Sequence, residues 1–90
     1  MELPLAASRG GPVPLATQIA DQLRTALAEG RLAAGERLSA SRALAAELGV
    51  SRTVINSAYA QLFAEGWIEG RHGSGTYVAD GAPGDHATGT

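Results

Sequence analysis

The tripeptide Gly49-Val50-Ser51 constrains this chain most, because it stands between two stretches of helical spacing. Ahead of it, Ser41-Arg42-Ala43-Leu44-Ala45-Ala46-Glu47-Leu48 places Leu44, Ala45 and Leu48 on one stripe of a short helix. Gly49 falls just past that helix, where a left-handed backbone costs glycine least. Ser51 supplies a hydroxyl to cap the free N–H groups of a second helix. Val50 and Ile55 take the N′ and N4 positions, the pair that forms a hydrophobic staple and sets the angle of entry. Two helices joined this tightly cannot lie antiparallel and must cross steeply. The spacing therefore predicts a helix-turn-helix over residues 41–65.

The second of these helices, residues 51–65, has two unlike sides. On a 3.6-residue wheel Ile55, Ala58, Tyr59 and Leu62 share the side that must be buried. Thr53, Asn56, Ser57, Ala60 and Ala64 share the other, and Arg52 stands beside them in the first turn. No acidic residue occurs from Ser51 to Ala64. A merely solvated face commonly carries Glu and Lys pairs. A small, uncharged strip with an arginine at its N-terminal end suits a helix that lies against base edges and phosphates.

The remaining chain builds around this unit. Residues 1–13 contain Leu3-Pro4-Leu5 and Gly10-Gly11-Pro12 and are expected to form a flexible or extended leader. Pro14 suits the first position of a helix. Leu15, Ile19, Leu23, Ala26 and Leu27 follow at helical spacing, and Gly30 ends the run. The Ala34-Gly35 turn between Leu32 and Leu38 is expected to bring the chain back across this first helix. Gly66 stops the helix-turn-helix as Gly30 stopped the first helix. Trp67-Ile68-Glu69 and Thr76-Tyr77-Val78 are aromatic and β-branched, as strands are, and enclose the glycine-rich tip Gly70-Arg71-His72-Gly73-Ser74-Gly75. Three helices and a hairpin make a winged helix-turn-helix, mainly α with a small β-hairpin, over residues 14–79. Residues 80–90, rich in Gly, Pro, Thr and Asp without periodicity, are expected to be a disordered tail or the start of a linker.

Composition narrows the functional classes. Ninety residues make one small domain that buries about 60–65% of its unfolded surface, with no room for a second catalytic unit. The absence of cysteine removes disulfides, thiolate metal sites and a Cys nucleophile. No apolar run approaches the roughly 20 residues that span a membrane, and no signal peptide opens the chain, so a soluble cytoplasmic protein is expected. The formal net charge of −2 runs against the basic surface usual for a nucleic-acid partner. Yet all seven positive residues are Arg, each able to make a forked contact to phosphate or guanine, and Glu2, Asp80 and Asp85 lie in the flanks.

The glycine-rich tip lacks the Lys-Ser/Thr ending of a phosphate-binding loop and leads into a strand, where such loops lead into a helix. It fits better as a wing whose glycines let the backbone come close to DNA while Arg71 reaches phosphate. His72 and His86 have no converging ligands, and no Ser/His/Asp set or carboxylate pair has catalytic spacing. Trp67 and Tyr59 read as packing residues. No enzyme is expected.

The order Pro14-Leu15, Gly30-Arg31-Leu32, Gly35-Glu36-Arg37-Leu38, Leu44-Ala45, Leu48-Gly49-Val50-Ser51-Arg52, Leu62, Glu65-Gly66 and Gly73-Ser74-Gly75-Thr76-Tyr77-Val78 resembles the winged-helix domain of GntR-family bacterial transcription regulators. Ser41-Arg42-Ala43-Leu44-Ala45, the Gly-Ser-Gly wing and Leu3-Pro4-Leu5 look most like the MocR subgroup. The resemblance implies sequence-specific binding of double-stranded DNA, with residues 51–65 in the major groove and the wing, 70–76, on the backbone or minor groove. It places contacts on Arg42, Ser51, Arg52, Thr53, His72 and Gly73; Ser41, Asn56, Ser57, Arg71 and Ser74 complete the candidate surface. The family often has Pro-Ser where this chain has Ser39-Ala40, so Ser39 or Ser41 is expected to replace the helix cap. In the MocR subgroup a longer chain continues into an aminotransferase-like domain that binds pyridoxal phosphate. That cofactor would belong to such a C-terminal domain and not to these residues. The isolated domain is expected to be mainly monomeric and to dimerise as part of a longer regulator. The alternative reading is a winged helix used as a protein–protein interaction module.

Overall fold

The computed structural model describes residues 5–8, 10–71 and 75–79. Three helices, α1 Leu15–Ala28, α2 Ser41–Leu48 and α3 Arg52–Glu65, precede two strands, β1 Ile68–Arg71 and β2 Gly75–Val78. The strands pair antiparallel with Ile68 opposite Val78, Glu69 opposite Tyr77, Gly70 opposite Thr76 and Arg71 opposite Gly75. This is the expected winged helix-turn-helix.

All three helices close in the same way. The residue after a left-handed glycine donates its N–H back across the last turn: Arg31 to the Ala26 carbonyl at 2.9 Å, Val50 to Ala45 at 3.0 Å, and Trp67 to Leu62 at 3.0 Å. Gly49, at φ 67°, would leave an added Cβ in open space, so its requirement is conformational and not steric. Pro14 stands one position earlier than expected, at the cap of α1, and its carbonyl accepts from the Gln18 N–H at 3.0 Å.

The core lies between α1 and α3. Ile19, Leu23, Leu44, Ile55 and Leu62 are essentially fully buried, and Leu32, Leu38, Ile68 and Val78 close the cluster from the turn and the hairpin. Burying each large aliphatic side chain stabilises by about 1.5–3 kcal/mol before the ordering cost. Val50 packs at the margin of the same cluster that holds Ile55.

The hairpin departs from the expectations. Trp67 is buried, its N–H completes the end of α3 and its carbonyl accepts from the Ala79 N–H at 2.9 Å, so the paired strands begin one residue later, at Ile68. At the other end the ladder runs on to Arg71 and Gly75, residues that read as part of the loop. The segment after the Ala34-Gly35 turn also joins the sheet. Val78 donates to the Glu36 carbonyl at 2.8 Å, Leu38 donates to the Thr76 carbonyl at 2.8 Å, and Arg37 stands opposite Tyr77. The wing thus gains an isolated antiparallel bridge on its β2 edge.

The leader has a definite place where it is described. The Gln18 amide accepts from the Ser8 N–H at 2.8 Å and donates to the Ser8 carbonyl at 2.9 Å. Gln22, one turn on, does the same for Ala6. Backbone groups of alternate residues thus meet side chains spaced i, i+4, as an extended segment laid along a helix requires. Leu5 and Ala7 pack against the core between them.

Candidate nucleic-acid interface

Ser51 caps α3 as its position predicts: its backbone is extended and its hydroxyl accepts from the Val54 N–H at 3.3 Å. With that end fixed, Ile55, Ala58, Tyr59 and Leu62 turn inward, and Ser51, Arg52, Thr53, Asn56, Ser57, Ala60 and Ala64 are all exposed. Phe63 remains 42% exposed at the edge of this face, with its ring near Gly70 of the hairpin.

The angle between α2 and α3 is held by a partly buried polar contact. Tyr59 projects through the core, and its hydroxyl donates to the Ser39 carbonyl at 2.7 Å, just ahead of α2. Burial, with a smaller effect from the Glu47 carboxylate, pushes the Tyr59 phenol up to about 12. The phenol stays protonated and able to donate. Ser39 is therefore engaged through its backbone, and Ala40 occupies the cap position of α2, which has no side-chain cap bond. The expected replacement of that cap by Ser39 or Ser41 does not occur, because the chain enters α2 with Ala40 at the cap. Ser41 is half-buried and Arg42 exposed in this uncapped first turn.

Among the described residues the arginines fall into two groups. Arg24 forks onto Glu65, Nε to Oε1 at 2.7 Å and Nη2 to Oε2 at 2.9 Å, and also meets Asp21. The same Glu65 accepts from Trp67 Nε1 at 3.0 Å. The Arg24 fork holds the Glu65 carboxyl below its usual range, and Glu65 in turn raises Arg24. Arg31 pairs with Glu29 at 2.8 Å. These two guanidinium groups are committed to carboxylates. Arg37, Arg42 and Arg52 are exposed, and none forms an ion pair with a described residue. They come from the segment bridged to β2, the start of α2 and the start of α3.

Arg71 lies in β1, opposite Gly75, and not in the loop between the strands. His72, Gly73 and Ser74 lie outside the described residues. Sequence reasoning missed Arg37, whose place follows from strand pairing that no local pattern announces. No group of His, Cys, Asp or Glu among the described residues could hold a metal ion. No helix among them is long and apolar enough to cross a membrane. The chain has no lysine, so it offers no side-chain amine to hold pyridoxal phosphate as a Schiff base.

This arrangement recurs in known proteins. Residues 15–78 match the family described as bacterial regulatory proteins, gntR family. The probable rhizopine catabolism regulatory protein MocR of Rhizobium meliloti is 43% identical over 75 residues, which are 83% of this chain and 15% of that protein. The chain thus spans a small part of the length of that relative. YtrA from Sulfolobus acidocaldarius, a GntR-family transcription factor, superposes with a TM-score of 0.81 at 30% identity, over 93% of this chain and 88% of that one. The DNA-binding domain of AraR, solved in complex with operator ORX1, shares the fold with a TM-score of 0.74 at 24% identity, over 87% of this chain and all of that one. With its three glycine-closed helices, its winged hairpin and this match across most of its length, the chain belongs to the GntR family of bacterial regulatory proteins.

Proposed function

We propose that this domain binds double-stranded DNA at preferred sequences as the reading head of a transcription regulator. The observation that carries the proposal is the exposed face of α3. Arg52, Thr53, Asn56 and Ser57 are all accessible on the first two turns of a helix that presents no acid before Glu65. An α-helix fits the major groove of B-form DNA, and its N-terminal residues are the ones that reach base edges. The uncapped first turn of α2, with Arg42 beside it, supplies N–H groups and a guanidinium for a neighbouring phosphate. The hairpin would then lie along the flanking backbone or minor groove, with Arg71, His72, Gly73 and Ser74 as its contacts. A domain of the same fold, that of AraR, has been solved in complex with operator DNA.

The domain should act mainly as a monomer by itself and in pairs within a longer regulator. Its apolar helix faces are used by the shared core, and Val13 and Phe63 are the exposed large hydrophobics among the described residues. Any chemistry of pyridoxal phosphate would reside elsewhere in such a longer chain. The primary test is a gel-shift titration against promoter fragments in the presence of nonspecific competitor. Retention of a discrete complex supports the reading. Complete loss to the competitor on every fragment argues against sequence preference.

A further inference from the structure

We infer that Arg37 is a DNA-phosphate contact, carried by the bridge that pairs residue 37 with β2 and aimed by Gly75; the inference rests on the DNA-binding reading above. Three observations converge on it. First, the pairing of residues 36–38 with β2 fixes the Arg37 backbone opposite Tyr77, so its position is set by the sheet and not by a free loop. Second, the guanidinium lies over Gly75. A Cβ placed on Gly75 would stand 3.2 Å from Arg37 Nε and 3.5 Å from Nη2, and Gly75 adopts a φ of +122° that side chains disfavour. The missing side chain is what lets the guanidinium rest on the hairpin. Third, the group is exposed and has no carboxylate partner among the described residues, unlike Arg24 and Arg31.

A guanidinium packed against the Gly75 backbone has lost part of its freedom, while the arginine as a whole stays exposed. That is a preorganised phosphate fork. Its location suits the task. Gly75 opens the returning strand of the hairpin, directly opposite Arg71 in the ladder. Five residues after Arg37, through the segment pinned by Tyr59 at Ser39, comes Arg42 at the start of α2. Arg37 therefore stands where the wing joins the helix-turn-helix and can hold the phosphates between the two footprints. The contact carries no sequence information; it adds affinity to any duplex.

The test uses this chain, a duplex it selects from a randomised pool, and a scrambled duplex of equal length. Both are titrated from about 50 to 200 mM salt. Arg37→Gln should weaken both duplexes alike, roughly tenfold. It should also flatten the log–log salt slope by about 0.9, the release associated with one phosphate contact. Arg37→Lys should retain most of the slope. Melting of each variant by circular dichroism should be unchanged, because no ion pair is lost. Arg52→Ala, run in parallel, should lose discrimination instead. An unchanged slope for Arg37→Gln overturns the inference, as does a loss confined to the selected duplex. If those results accompany the expected Arg52 effect, only the Arg37 assignment falls. If the parent chain selects no duplex and binds neither, the DNA reading and the inference fall together.

Discussion

Position 52 holds an exposed arginine one residue past the Ser51 cap, on the first turn of the helix that faces outward. Its charge has no carboxylate to satisfy it among the described residues, so its donors are free for a base edge. A forked contact to guanine discriminates by about 1–3 kcal/mol, and Arg52→Ala should lose that much on a preferred duplex while relaxing one base position. Competition between duplexes that differ at each position would show it; equal losses on preferred and random DNA would refute a base contact. Tyr59 works at the same scale but inside the fold. Tyr59→Phe removes the bond to Ser39 and should cost about 0.5–1.5 kcal/mol of stability, measured by denaturant unfolding. The raised phenol adds a pH signature. In the unfolded chain it ionises near its ordinary value of 10.0, in the folded chain only near 12. Its contribution is complete below pH 10 and is lost as pH rises from there through about 12. The Phe variant should lack that component of the alkaline fall.

At the scale of elements, the junction between α1, the end of α3 and the base of the wing depends on Glu65. It receives both the Arg24 fork and the Trp67 indole, so one carboxylate ties three elements together. The Glu65 side chain is 41% exposed and Arg24 is 29% exposed, so solvent screens the pair. Arg24→Ala should therefore destabilise by no more than about 1 kcal/mol. The sign with acid follows from the depressed carboxyl. Its stabilising contribution is present above the ordinary value of 4.5 and disappears as pH falls through the lower folded value. Thermal melts of the parent and of Arg24→Ala between neutral pH and pH 3 should converge as Glu65 becomes protonated. Melts that stay equally far apart would assign the effect of Arg24 to packing along its aliphatic stem.

For the molecule as a whole, the limit is valence. About three to four charges neutralised per domain give a salt slope of only about −3, and so weak binding at physiological salt. Helix-turn-helix proteins commonly bind paired half-sites as dimers, which places two such domains on one duplex. Fusing a dimerising segment after Ala79 should raise affinity for a two-site fragment by roughly 10²–10⁴-fold through effective concentration. Sedimentation of the unfused chain should show mainly monomer. A stable dimer there, or no gain on fusion, would mean that these residues already contain an assembly surface.

The helices and their ends were legible in the sequence because their causes are local. Gly30, Gly49 and Gly66 reverse the chain within one turn, Ser51 caps its own helix, and the apolar stripes of α1 and α3 repeat at a period that only a helix satisfies. The face carrying Arg52, Thr53, Asn56 and Ser57 follows from the same arithmetic. What the sequence left open concerns partners far apart along the chain. Arg24 meets Glu65 across 41 residues, and the Tyr59 hydroxyl finds Ser39 across 20. Gln18 and Gln22 read as ordinary polar positions on α1 until the backbone of Ala6 and Ser8 is laid beside them. Residues 36–38 show no strand pattern, since one arginine between Glu36 and Leu38 is too short a run for alternation to appear. Strand β2 captures them by offering its open edge, and that bridge carries the Arg37 guanidinium onto Gly75. Periodicity records which side of an element is buried, whereas the identity of the group waiting there is settled only when the elements pack.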